Sequence, residues 1–405
     1  MMRESSTKTA TPWAVLFVLV GAGVISAVQV GKATVALADV QGDLRLSLTV
    51  ASWLLSAFAL VGALAGGPIG LTTDRIGAKR MLVWGLAVQG VTSALGSVAA
   101  GASLLLAMRV VEGLGFLCVI IAAPVLIVRI AAAGHRERAL SLWATFMPVG
   151  ITLSLLAASP LAAVGWRGFW IANAVLLLGY GGLAAIAVPT AHATAAPRKI
   201  TVDIRDTLAA PGPWLLAGLF AAFSASFFAI FGFLPVILTD RLAVSPETAS
   251  LLTAAAVMAS AAGNLVCGAM LNKGLQPWQL LMASFALLGV TGVGVFLGGA
   301  PPAANYALSV AFAFVGGFIP VIVMDAVPRH APRSELIGAT MGFVMQGNNV
   351  GLALGPAATG LIASAFGWSA VSLLVAGLAL AAGLLGWIFR AREMHRRVTA
   401  TAPST

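Results

Sequence analysis

Charge is what this 405-residue chain has least of. Asp, Glu, Lys and Arg make up 9% of it, against about a quarter of an average soluble domain. A soluble chain of this length folds as two or three domains with charged surfaces, and so few charges cannot coat them. A soluble enzyme, a nucleic-acid binder and a disordered scaffold are thereby excluded. Acidic residues are the scarcest, 13 against 23 basic ones, which leaves a net charge of +10. Cysteine is nearly missing as well. Cys118 and Cys267 both lie in apolar runs and offer neither a disulfide framework nor metal-ligand spacing. His135, His192, His330 and His395 all fall between the apolar runs. No H-E-x-x-H, nucleophile triad or phosphate-binding G-x-x-x-x-G-K-[ST] occurs. An intramembrane enzyme and an ATP-driven pump are both disfavoured, and no metal or cofactor is expected.

Apolar residues are abundant, at 60%, with 45 glycines and a mean hydropathy of +1.00. A membrane-crossing helix needs about 20 apolar residues. Such runs lie near 13–37, 48–70, 81–99, 102–128, 139–163 and 167–188, and again near 214–238, 248–270, 278–298, 304–326, 337–362 and 367–389. The runs are continuous rather than alternating, which excludes a β-barrel. The spacing predicts an all-α integral membrane protein of twelve transmembrane helices in two pseudo-symmetric six-helix bundles, 13–188 and 214–389. A tail over 1–12, a linker over 189–213 and a tail over 390–405 complete it. The first run is longer than a signal-peptide core and is expected to be retained.

Basic residues supply an orientation. Of the 23 Lys and Arg, only Arg45, Arg167 and Arg241 fall in the alternate loops that would lie outside, and Lys32 and Arg109 fall within spans. The remaining 18 lie in the tails, the linker and the other loops. This bias places both termini and the linker in the cytoplasm of a multi-pass protein of the plasma (inner) membrane. It also explains the net charge without nucleic acid.

The halves repeat. Pro-Trp opens the first and seventh spans (Trp13, Trp214), and Gly-Trp opens the sixth and twelfth (Gly165, Gly367). Small residues four apart mark the second span (Gly62, Gly66, Gly70), the fifth (Gly150, Ser154, Ala158), the eighth (Ala255, Ala259, Gly263) and the eleventh (Gly347, Gly351, Gly355). Small faces let helices approach closely in lipid. They serve either tight packing within one half or sliding contacts between halves. In the second case helix 2 faces helix 11 and helix 5 faces helix 8.

Between the second and third spans stands Gly70-Leu-Thr-Thr-Asp74-Arg75-Ile-Gly77-Ala-Lys79-Arg80. Gly77 permits a tight turn, and the charges cluster at a helix junction. The string resembles the signature loop of the major facilitator superfamily, with Thr72 in place of the usual leucine. Arg109-Val-Val-Glu112-Gly113-Leu-Gly115 resembles that family's second motif. The resemblance implies a secondary transporter working by alternating access between two bundles. It also implies a gating role for Gly70, Asp74, Arg75, Gly77 and Arg80, with Asp74 reaching the start of the eleventh helix. The fifth span lacks the Gly-x-x-x-Gly-Pro-x-x-Gly-Gly motif usual in the family's drug/proton antiporters. Its Trp-Ala-Thr-Phe-Met-Pro-Val-Gly and the following Gly-Trp-Arg-Gly-Phe-Trp resemble the cyanate-permease-like branch of small-anion carriers.

Ionisable residues inside spans are costly and mark function by default. Three are deep: Lys32, Arg109 and Glu112. Lys32 either faces a central cavity or snorkels to the outer interface. Arg109 and Glu112, three apart, either form an intrahelical pair or serve a site. If all three face one cavity, it is cationic and selects an anion, and Glu112 is the proton carrier. Asp39 and Asp325, at span ends, are expected to be solvated. Gln29, Gln346, Asn348, Asn349, Trp143 and Phe227 are further candidates for substrate contact. The expected partners are a small anionic substrate, protons and membrane lipid, with the chain a monomer. The rival within the family is a drug/proton antiporter; the rival outside it is a non-transporting receptor or enzyme.

Overall fold

A computed structural model describes residues 11–46, 48–190, 200–242, 244–297 and 301–401. Twelve long helices stand where twelve runs were expected. They are α1 (Trp13–Val35), α2 (Leu48–Ile76), α3 (Ala78–Ser97), α4 (Ala102–Ile130), α5 (Arg136–Leu156) and α6 (Val164–Ala187). The second set is α7 (Pro211–Thr239), α8 (Pro246–Asn272), α9 (Pro277–Phe296), α10 (Ala303–His330), α11 (Ile337–Phe366) and α12 (Trp368–Thr401). Eleven are long and apolar enough to cross a membrane. The exception is α3, packed between α4 and α6. Lys79 and Arg80 stand in its first turn, and its inner face buries Gln89, Thr92, Ser93 and Ser97. Its low apolarity is therefore spent inside the protein, beside the charges described below. Large apolar side chains such as Leu64, Ile186, Leu373 and Leu384 point outward, as a lipid-facing surface requires.

Three helices are interrupted. The breaks in α5, α7 and α10 fall at Thr145, Gly232 and Gly317, each followed within three residues by a proline: Pro148, Pro235 and Pro320. A proline in the first turn of a restarted helix costs no hydrogen bond, because that N–H has no intrahelical partner. The duplication shows in the backbone. The positive-φ glycines of the described residues form two pairs, Gly77 (φ 101°) with Gly274 (φ 88°) and Gly165 (φ 69°) with Gly367 (φ 80°). The first pair turns α2 into α3 and α8 into α9. The second pair is the two Gly-Trp junctions, where only glycine takes the left-handed turn without strain.

The small-residue stripes divide between two uses. Gly62, Gly66 and Gly70 do face α11. A Cβ on Gly66 would lie 2.5 Å from the Gly342 carbonyl, and one on Gly70 would meet Gly338. Helices α5 and α8 also meet across the halves, through Ser141 and Gly268. The stripe Gly347, Gly351 and Gly355, however, packs on Ala217, Ala221 and Ala225 of α7, within its own half. Gly150 and Ser154 likewise pack on Ala27 and Gly31 of α1. Gly342 and Gly347 are five residues apart, about 140° around the helix, so α11 shows one small face to each neighbour. The expectation that all four stripes line the boundary is thus corrected: the α5 and α11 stripes hold equivalent intrahalf pairs, and Gly263 of the α8 stripe packs on Phe314 of its own half.

Residues 191–199 of the linker lie outside the described residues, and Ile200–Ala209 forms a helix. The last helix runs on through residues read as a tail, to Thr401.

Candidate functional site

The deep charges do meet, but inside the first half rather than on a cavity wall. Lys32 of α1 donates from Nζ to Glu112 Oε1 at 2.5 Å and to Ser93 Oγ at 2.9 Å. Arg109 Nη1 donates to Glu112 Oε2 at 2.8 Å and to the Gln29 carbonyl at 3.0 Å, and its Nε donates to the Leu54 carbonyl at 3.1 Å. Lys32 also lies over the Trp170 ring, and Arg109 over the Phe58 ring, each 4.7 Å from the centroid. All three charges are buried to within 1% of full exclusion. Five helices, α1, α2, α3, α4 and α6, thus bury a triad of net charge +1. Such a cluster is tolerated because each charge is paired and hydrogen-bonded. Lys32 does not snorkel: its ammonium is held inward by Glu112, 80 residues away in sequence. Gln29 donates to Asn173 Oδ1 at 2.9 Å and belongs to this polar interior.

A cavity of about 110 Å³ lies between the halves. Phe58, Phe116, Phe146, Phe220, Phe223, Phe227 and Phe228 line it together with aliphatic side chains and Met147, Met324 and Met345. Ser224, Ser260, Asn264, Asn348 and Asn349 supply the polar groups. Among the described lining residues none is ionisable. The expectation of Lys32, Arg109 and Glu112 on the wall is corrected: pairing with one another outweighs facing an apolar space. An apolar cavity of about 150 Å³ holds benzene, so this one has the scale of a single ring. Asn348 accepts a hydrogen bond from Ser224 Oγ. Asn349 donates to the Met345 carbonyl at 2.8 Å. Asn264 Oδ1 is buried without a hydrogen-bond partner among the described residues.

Of the other expected contacts, Phe227 lies on the wall, while Gln346 and Trp143 do not. Gln346 staples the halves, donating to the Ala63 carbonyl at 2.9 Å and accepting from Gly67 N at 3.1 Å. Trp143 is fully buried, stacked on Phe146 at 4.5 Å. The phenylalanines of α2, α4 and α5 were not anticipated. A phenylalanine in an apolar run has no signal that separates cavity from core.

At the basic face the signature loop engages the opposite half. Asp74 accepts from Gly338 N at 2.9 Å and Ala339 N at 2.7 Å, in the first turn of α11. A carboxylate is favoured there by the orphan N–H groups and the helix dipole. Arg129 stands 3.8 Å away. The linker helix joins in: Asp203 accepts from Arg75 at 2.8 Å and from Arg333 at 2.7 Å, and Arg333 also reaches Asp206 at 3.1 Å. Partial desolvation pulls the Asp203 carboxyl up, but the hydrogen bonds from Arg333 and Arg75 outweigh it and hold it below its ordinary value. Gly77 makes the turn, and Arg80 lies exposed on the first turn of α3.

Asp325 and His330 need correction too. Asp325 is buried and paired with Arg329 at 2.8 Å. His330 ends α10, buried, its ring stacked on Phe389 at 5.3 Å. The extended α12 brings Phe389 and Glu393 over this end of α10, which closes it to water.

Three relatives bracket the chain. It is 27% identical to the 3-(3-hydroxy-phenyl)propionate transporter of Escherichia coli over 347 residues, 81% of this chain and 83% of that one. It is 28% identical to human monocarboxylate transporter 11 over 356 residues, covering 82% and 73%. It is 28% identical to the methylenomycin A resistance protein of Bacillus subtilis over 180 residues, 42% of this chain but only 37% of that protein. For several such relatives the matched stretch spans about a third of their length. The model of the Major Facilitator Superfamily matches residues 19–337 and 216–404. With the two six-helix sets, the paired glycine turns and the Asp74 loop in place, the chain belongs to the Major Facilitator Superfamily.

Proposed function

We propose that the chain is a secondary active transporter that moves a small organic acid with an apolar or aromatic body, together with a proton, by alternating access. The observation that carries this reading is the wall: seven phenylalanines and a few amides around a ring-sized space, with a buried charge of +1 one side chain behind it. The rings accept the apolar body. The N–H and O–H donors of the wall amides and serines can receive its carboxylate. The +1 field favours an anion without desolvating a free cation on the wall.

Glu112 is assigned the proton. While both its oxygens are held by cations, a proton has no place to sit. Withdrawal of Arg109 toward a substrate carboxylate frees Oε2 and couples the two fluxes. The transporter sits as a monomer in the plasma membrane with both termini cytoplasmic, as the basic loops favour. The names of the E. coli and human relatives agree with an organic acid. The neutral aromatic wall and the Bacillus relative favour a second reading, a drug/proton antiporter.

Proteoliposomes separate the two. With a more acidic exterior, labelled phenylpropionate should accumulate above the level of protein-free liposomes, which corrects for passive entry of the neutral acid. Uptake no greater than that control, with proton-driven movement of ethidium instead, would establish the antiporter.

A further inference from the structure

We infer that Phe58 is a specificity gate, the one ring that decides whether the cavity presents a neutral wall or the Arg109 guanidinium to its contents. The inference deepens the organic-acid reading and rests on it. Phe58 belongs to two environments at once. It is part of the cavity wall, tilted against Phe116 at 4.9 Å. It also covers the guanidinium of Arg109, 4.7 Å from the ring centroid. Leu54, one turn earlier on the same face of α2, holds Arg109 Nε through its carbonyl. The side chain is therefore clamped between a carbonyl and a ring of one helix. Its Nη1 is fully used by Gln29 and Glu112. Its Nη2 makes no hydrogen bond among the described residues and lies one ring away from a space that receives substrate.

Phe58 also lies one turn before Gly62, which packs against Asn349 of α11. Movement of α2 along α11 therefore carries Phe58 with it. With the ring over the guanidinium, the cavity is apolar and admits the body of the substrate. With the ring turned aside, Nη2 meets the carboxylate. A carboxylate gains a charge-assisted hydrogen bond from that exposure, and its uncharged amide gains much less.

The test compares binding of phenylacetate and phenylacetamide to purified protein by calorimetry. Removing the cover should raise the acid-to-amide affinity ratio about fivefold or more in Phe58→Ala, the scale of one charge-assisted hydrogen bond. Phe58→Leu, which keeps most of the apolar volume and loses the flat face, should shift it in the same direction. It serves alone if Phe58→Ala does not fold. Adding Arg109→Gln, which leaves the neutral Lys32–Glu112 pair, should return the ratio to the wild-type value. A smaller rise, or one that survives loss of Arg109, overturns the gate. Binding of neither compound by any variant overturns both readings. If the ratio shifts as expected but wild-type proteoliposomes take up no acid, the transport reading fails and the gate stands.

Discussion

Glu112→Gln is the most informative single perturbation, because it removes the only anion of a buried triad. At an effective dielectric of about 20, a pair at 2.5–2.8 Å is worth on the order of 6 kcal/mol before desolvation. What a variant measures is smaller, since breaking one buried pair costs about 3–5 kcal/mol. Here the loss strands two cations, and the local charge rises from +1 to +2. We expect a cost at the upper end of that range. The informative comparison is Lys32→Met with Glu112→Gln. That double variant returns the charge to +1 and leaves Arg109 with its carbonyl partners. It should be more stable than Glu112→Gln alone, although it carries one more substitution. Thermal unfolding in detergent, followed by tryptophan fluorescence and by the monodisperse fraction, reads the order. If the double variant melts at or below the single one, the cations are not desolvated and the triad is no electrostatic unit.

Asp74→Asn removes a charge from the first turn of α11, so the basic face should open more often. A cysteine placed at Met345, in a background without Cys118 and Cys267, should then label faster from that side. Gly70→Leu should block closure at the same face and abolish flux while the protein stays monodisperse. Gly351→Leu, inside the second half, should instead lower expression and melting temperature. Asp203→Asn should loosen Arg75, leave Arg333 on Asp206 alone and make labelling at Met345 less sensitive to salt. Its carboxyl is held below the ordinary value, so the linker contact is complete above that value and is lost only as pH falls through the lower folded one. Between pH 7 and 5 this contact should not change, and altered labelling in that window must come from another group. Phe227→Ala should weaken binding of a phenyl acid without changing the charge preference.

The fold was legible because its determinants are local. Twenty-residue apolar runs, loop charges and the Gly70–Arg80 string are each read from neighbouring residues. The Gly165 and Gly367 junctions, noted only as a repeat, turn out to be matched left-handed turns. The site was legible in chemistry and not in place. Lys32, Arg109 and Glu112 were singled out by depth, which left a cavity wall and an intrahelical Arg109–Glu112 pair both open, and the pair is what forms. What decides the facing is the partner, and the partner of Lys32 is 80 residues away, on another helix. Asp325 failed for the related reason that α12 outlasts its apolar run and covers the end of α10. The Gln346 amide looked like a substrate ligand and is a clasp between halves, a distinction fixed by which face of α11 meets Gly67.

The same logic bears on why the cavity is neutral. A cation on its wall would lie desolvated whenever the cavity is empty, at a cost of about 2.5–3.5 kcal/mol or more. Held by Glu112 behind Phe58, Arg109 avoids that cost in the empty state and remains within one ring of the substrate. A carboxylate that draws Arg109 forward takes over the work of Glu112 and releases an oxygen for a proton. Charge in the triad and charge in the cavity are then exchanged rather than added. On this scheme Glu112→Gln, where it folds, binds acid but cannot use a pH gradient to accumulate it. Normal proton-driven accumulation by that variant would show that the proton travels elsewhere.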